Sequence, residues 1–152
     1  AHGWLRLVSR ADLHALPSFI DASNVEHLLK DHDMVLEGVD DLHAKQLIDA
    51  ACATLGIPLI SGAVHQQQGQ VLVTHVSGAG QELTRKDLFT GRAGMEQDGC
   101  DMRQVPLEVL EETGRAMVGR ARSIMLGEPV VNGRIELFDG AKQSWMVIEP
   151  PR

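Results

Sequence analysis

Apolar positions along the chain fall into short runs and helical stripes, divided by glycine, proline and acidic turns. In "MVLEGV", Met34, Val35 and Leu36 form a brief run that Gly38 ends, which predicts a strand buried on both faces of a parallel sheet. From Asp41 onward, Leu47, Ile48, Ala51, Cys52 and Leu55 recur at helical spacing. Asp40 and Asp41 stand at the positive end of that helix dipole, and Gly56 supplies a C-terminal stop. After Pro58, "LISGAV" reads as a second buried strand. A helix between two such strands is a βαβ crossover, which is parallel and right-handed, so the fold class is α/β.

The flanking segments follow the same reading. Residues 1–18 have no clean period and predict at most a short helix near Ser9 to Leu16. "DASNVEHLLKDHD" places Glu26 three residues after Ser23, a capping-box pattern before Val25, Leu28 and Leu29 on one helix face. "GQVLVTHV" predicts an antiparallel strand, and residues 77–105 read as a long loop without a period. Pro106 suits the first position of a helix whose face is Leu107, Leu110, Gly114, Met117, Ala121 and Met125, with Gly114 a candidate close contact. "GRIELFDGAKQSWMVIE" predicts a hairpin around Asp139 and Gly140.

Composition narrows the function classes. A chain of 152 residues predicts a single domain, 1–152, and 43% apolar with 23% charged residues predicts a folded one. The net charge of −7 and the scarcity of aromatics argue against nucleic acid as a partner. No apolar run reaches the roughly 20 residues needed to cross a bilayer, so no membrane partner and a cytoplasmic location are expected. Cys52 and Cys100 are too few for a disulfide scaffold, and their spacing does not suit a zinc ribbon. The seven histidines lack metal-motif spacing and are expected at the surface or in loops.

The candidate chemistry lies where the first strand ends in Glu37, Asp40 and Asp41. Ligands of open parallel sheets bind beyond the carboxyl ends of strands. Asp40 there suits magnesium, a hard cation that takes one or two carboxylates together with nucleotide phosphates. Equally, Asp40 or Asp41 serves simply as a helix cap, which capping preferences alone favour.

"DMVLEGVDD", "LIDAACATLGIPLISGAV" and "GQVLV" together resemble the middle of the ThiF/MoeB/HesA family of ubiquitin-activating-like adenylyltransferases, and "GRIELFDGAKQSWMVIEPPR" is similar to its C-terminal hairpin. The resemblance runs from about Phe19 to Arg152. It implies a partial Rossmann-like parallel sheet with flanking helices, followed by antiparallel strands. It also implies an activity, adenylation of the C-terminal glycine of a ubiquitin-like sulfur carrier protein with ATP and magnesium. On that basis Asp40 assists magnesium or ATP and Asp41 stands beside it, while Val39 and Asp41 replace the family's usual Thr and Asn. The family's loop cysteine best matches Cys100, for which an ordinary loop cysteine is the plain alternative.

Other family features have no counterpart here. No GxGxxG turn precedes Asp33, so the phosphate-cradling N-terminal half is missing from this sequence. The position of the family's zinc-binding CxxC reads "LTRKDL", so no zinc site is expected. Two readings follow: part of an adenylyltransferase, or a non-catalytic truncated relative serving as a carrier-binding or dimerisation module. Because the "MVLEGV" side would leave an unpaired sheet edge, a homodimer or larger assembly is also expected.

Overall fold

The βαβ unit is present in the computed structural model, which describes residues 12–89 and 102–151. Strand β1 (Val35–Glu37) leads through helix α2 (Leu42–Leu55) to β2 (Leu59–His65), with the short helix α1 (Val25–Leu29) ahead of them. The two strands are parallel, Val35 lying opposite Leu59 and Glu37 opposite Ser61. Strands β3 (Gln68–Thr74), β4 (Ile135–Asp139) and β5 (Ser144–Ile148) continue the sheet antiparallel in the order β1-β2-β3-β4-β5. The mixed α/β architecture is thus the expected one, with a parallel pair extended by antiparallel strands.

Helices cover both sides of this sheet. On one face α2 packs Ile48, Ala51 and Cys52 on Leu59 and Val35, and Val25 of α1 closes the cluster. On the other, α4 (Leu107–Met125) lies over Ile60, Val71 and Val73 through Ala116, Met117, Ala121 and Ile124. Its first turns join Val109 to Phe138. The close approaches are made by glycines of the sheet: a Cβ on Gly62 would strike the Met117 sulfur, and one on Gly69 the Thr113 hydroxyl. Gly114 has open space around it, so the small residues that admit α4 are on the strands and not on the helix.

Several local expectations are revised. Strand β1 is not buried on both faces: Val35 and Glu37 turn to the α2 side, where Glu37 is buried, whereas Leu36 on the other face is exposed, and β1 is an edge strand among the described residues. Ser23 and Glu26 form no capping box: Ser23 Oγ donates to Asp21 Oδ1 at 2.6 Å, and the N-cap is Asn24. The capping box occurs instead at α3 (Arg85–Leu88), between Thr84 and Asp87, inside the segment read as a loop. The buried line of α4 runs through Val109, Thr113 and Met117, leaving Leu107 and Met125 exposed, and Pro106 is its N-cap. Leu47 is only half-buried, whereas Ile48 belongs to the core. Residues 12–20 are not helical, and Ser9 to Ala11 lie outside the described residues. The β4–β5 turn spans four residues, with Asp139 Oδ1 accepting from the amides of Ala141 and Lys142.

Candidate functional site

The three acidic residues at the end of β1 have three different surroundings. Glu37 points into the sheet–helix layer, where Oε1 accepts from Lys45 Nζ at 2.8 Å and from the Val39 amide at 2.7 Å. Its Oε2 accepts from the Ser61 hydroxyl on β2. Lys45 Nζ also donates to the Gly62 carbonyl at 3.1 Å, and the Lys45 and Glu37 side chains are 8% and 1% exposed. A buried pair is tolerable only when further hydrogen bonds satisfy both ions, and here they do so from β1, α2 and β2 together. Their local effect is to fix the turn between β1 and α2.

Asp41 closes that turn from the helix side. It is the N-cap of α2, its Oδ1 accepting from the Ala44 amide at 2.7 Å, while Gly56 at φ 66° forms the left-handed C-cap. Between the bonded Val39 amide and the Asp41 cap stands Asp40, exposed. Asp40 and Asp41 are both exposed, but Asp41 is engaged as the helix cap through Oδ1, so Asp40 is the uncommitted carboxylate on a backbone held at both sides. One carboxylate suits magnesium, which takes the rest of its oxygen shell from phosphates and water. Among the described residues no group of three or more His, Cys, Asp or Glu side chains comes together, so Asp40 fits as a contributor to such a site and not as a complete one.

A second buried polar cluster lies on the same helix. Asp49 Oδ1 is 2.9 Å from His75 Nε2 just after β3, and Asp49 Oδ2 accepts from the Arg85 amide at 2.8 Å. This joins α2 to the end of β3 and to α3; His75 lies in the loop after β3, within the expectation of surface or loop histidines, and its side chain is buried against Asp49. Nearby, Asn132 accepts from the Val76 amide at 2.9 Å and donates to the Val76 carbonyl at 2.8 Å, fixing the chain that enters β4.

The cysteines separate clearly. Cys52 is buried, and burial, then the Asp49 charge, push its thiol up to about 12, which keeps it a neutral core group. Cys100, the match to the family's loop cysteine, lies outside the described residues.

Lys45 and Asp49 were passed over in the sequence although a signal was there. Both fall on the α2 face that carries Ile48 and Cys52. A charged residue on a buried stripe needs a partner, and Glu37 and His75 are those partners. Sequence reasoning grouped Glu37 with Asp40 and Asp41; the fold assigns it to the interior.

The chain is 33% identical over 63 residues to the sulfur carrier protein adenylyltransferase of Thermus thermophilus, a stretch covering 41% of this chain and 23% of that protein. It is 27% identical over 139 residues to adenylyltransferase and sulfurtransferase MOCS3 of Drosophila persimilis, covering 90% of this chain and 30% of the relative. The chain thus spans less than a third of the length of these curated relatives. The crystal structure of selenomethionine PaaA superposes with a TM-score of 0.53 at 11% identity, over 85% of this chain and 46% of that one, a likeness of fold alone. The ThiF family profile matches residues 4–152, so the chain belongs to the ThiF family.

Proposed function

We propose that this chain forms the middle and C-terminal part of an ATP-dependent adenylyltransferase that activates the C-terminus of a ubiquitin-like sulfur carrier protein for cofactor biosynthesis. The observation that carries the reading is the β1–α2 turn, in which Asp40 is exposed at the carboxyl end of a parallel strand while Glu37, Lys45 and Asp41 hold the backbone around it. In α/β sheets this is where nucleotides bind. Names of the relatives support the carrier and the chemistry. Asp40 would give magnesium or ATP one carboxylate oxygen; Asp41, with Oδ1 engaged by Ala44, would contribute mainly by shaping the turn. Bound ATP supplies the adenylyl group and the pyrophosphate leaving group.

Assembly into a homodimer or larger species is part of the same reading. Trp145, Met146, Val147 and Ile148 leave both faces of β5 partly exposed, and β5 is the other end strand of the described sheet. A cytoplasmic site of action suits a cofactor pathway; among the described residues no helix is long and apolar enough to cross a membrane.

The test is ATP–pyrophosphate exchange with this chain, a GxGxxG-bearing half of a family member and a sulfur carrier, assayed together and with each omitted. Exchange that requires all three supports the reading. Carrier binding without exchange in any mixture would replace it with the non-catalytic docking module.

A further inference from the structure

We infer that residues 75–85 form a strap that opens and closes as one unit, with Asp49 of α2 as its clasp and one wall of a surface groove as what it carries. This is independent of the adenylyltransferase reading.

The clasp is a single carboxylate. Asp49 Oδ1 lies 2.9 Å from His75 Nε2 where the chain leaves β3, and Oδ2 accepts from the amide of Arg85, the first residue of α3, at 2.8 Å. The His75 and Asp49 side chains are 6% and 7% exposed, so water does not compete for these bonds. Two points ten residues apart along the chain are thereby brought to one side chain, the closed-end geometry of a compact surface loop. Because both ends use the same carboxylate, loss of one weakens the hold on the other.

The backbone at His75 shows that the clasp holds a position the chain does not favour by itself. Its φ is 61°, a left-handed conformation uncommon outside glycine. The other described non-glycine residues with positive φ, Gln66 and Gln143, belong to the turns after β2 and β4, where such values are ordinary. His75 precedes the turn that starts at Ser77, so no hairpin geometry imposes its conformation.

Between its ends the strap has few further anchors. Asn132 takes both backbone groups of Val76, and its own amide donates to the Ala79 carbonyl at 3.0 Å. Leu83, 4% exposed, sits over Gly133, where a Cβ would come within 2.7 Å of it. Of residues 75–85 only Val76 packs against one of the core clusters of the sheet, and Ser77, Gly78, Gly80, Gln81 and Glu82 are exposed. A segment with little core contact and a shared anchor opens locally, below the free energy of global unfolding. Gly80 and Gln81 line an open groove of about 390 Å³ with Val131, Asn132, Pro150 and Pro151. Opening removes that wall, so the groove in this form belongs to the clasped state.

The test is native-state amide exchange on the full chain, read residue by residue at low, increasing urea. The amides of Val76, Ala79, Arg85 and Asn132 report the strap, and those of the β2–β3 ladder report the whole fold. The expected result is that the four share one opening free energy and one urea dependence, both below those of the ladder. His75→Asn keeps a residue that tolerates positive φ but is too short to reach Asp49. It should speed all four, including Arg85 at the far end, at least about tenfold, the scale for losing a hydrogen bond to a charged group. Val109→Ala, in the α4–β4 cluster away from the strap, should speed the ladder at least about fivefold and leave the four unchanged. Unrelated opening energies among the four, His75→Asn without effect on Arg85, or Val109→Ala speeding the four as much as the ladder would each overturn the inference. If His75→Asn does not fold, the parent and Val109→Ala exchange patterns still decide it.

Discussion

Replacing Lys45 by Met tests the buried pair on which the β1–α2 turn depends. The substitution keeps the length and much of the volume of the side chain and removes its charge. Glu37 then loses its 2.8 Å partner, and the Gly62 carbonyl loses the donor at 3.1 Å. Breaking a buried pair from one side costs about 3 to 5 kcal/mol. Glu37 keeps two donors, the Val39 amide and the Ser61 hydroxyl, which places the expected loss near the lower end, about 3 kcal/mol. A domain of this size has about 5 to 15 kcal/mol in total, so the urea midpoint at neutral pH falls steeply with an unchanged slope. The double variant Glu37→Gln/Lys45→Met removes both charges and is expected to recover at least about 1 kcal/mol over the single change. A single variant within about 1 kcal/mol of the parent, the spread of ordinary exposed pairs, would refute the argument that this pair is buried and structurally required.

Three further outcomes follow from separate parts of the fold. The Cys52 thiol is raised from 9.0 to about 12 when folded, so the unfolded chain ionises first and stability falls as pH rises from about 9 to 12; urea midpoints at pH 8 and 10.5 should differ less in Cys52→Ala than in the parent, and equal differences would contradict it. Gly69→Ala should cost about 1 to 3 kcal/mol and clearly more than Gly62→Ala, because the Thr113 hydroxyl is tied to the Val109 carbonyl at 2.7 Å while the Met117 thioether can move aside; comparable unfolding midpoints for the two would count against this account. Asp41→Ala should lower stability by about 0.5 to 2 kcal/mol through loss of the cap, whereas Asp40→Asn should stay within about 0.5 kcal/mol; a thermal denaturation series in which Asp40→Asn is the more damaging change would reverse their roles.

The elements whose residue pattern is local were legible in the sequence. The βαβ unit, "GQVLV" and the final hairpin each carry their own pattern, and the glycine and proline punctuation fixed their ends. What escaped depended on contacts between distant residues. Charge led Glu37 to be read with Asp40 and Asp41, yet its neighbours are Lys45 eight residues on and Ser61 twenty-four residues on. His75 is the loop residue its sequence setting indicates, but its burial against Asp49, twenty-six residues earlier, has no local signal. Of the apolar stripe Leu107, Leu110, Gly114, Met117, Ala121 and Met125 on α4, Leu110, Met117 and Ala121 pack on the core, whereas Leu107, Gly114 and Met125 are exposed. The capping box went to Ser23 and Glu26 on spacing alone, although Asp21 competes for the Ser23 hydroxyl. Of the candidate site, the position of Asp40 at a strand's carboxyl end was readable, and the buried supports on either side of it were not.

The most direct test of the central claim is the effect of Asp40→Asn on the reconstituted mixture of this chain, the GxGxxG-bearing half and the sulfur carrier. The account predicts that magnesium-dependent ATP–pyrophosphate exchange drops by about 10²- to 10³-fold, the usual scale for loss of one transition-state electrostatic contact, while carrier binding and the unfolding midpoint are unchanged. Exchange that proceeds at the parental rate in the Asp40→Asn protein would contradict it.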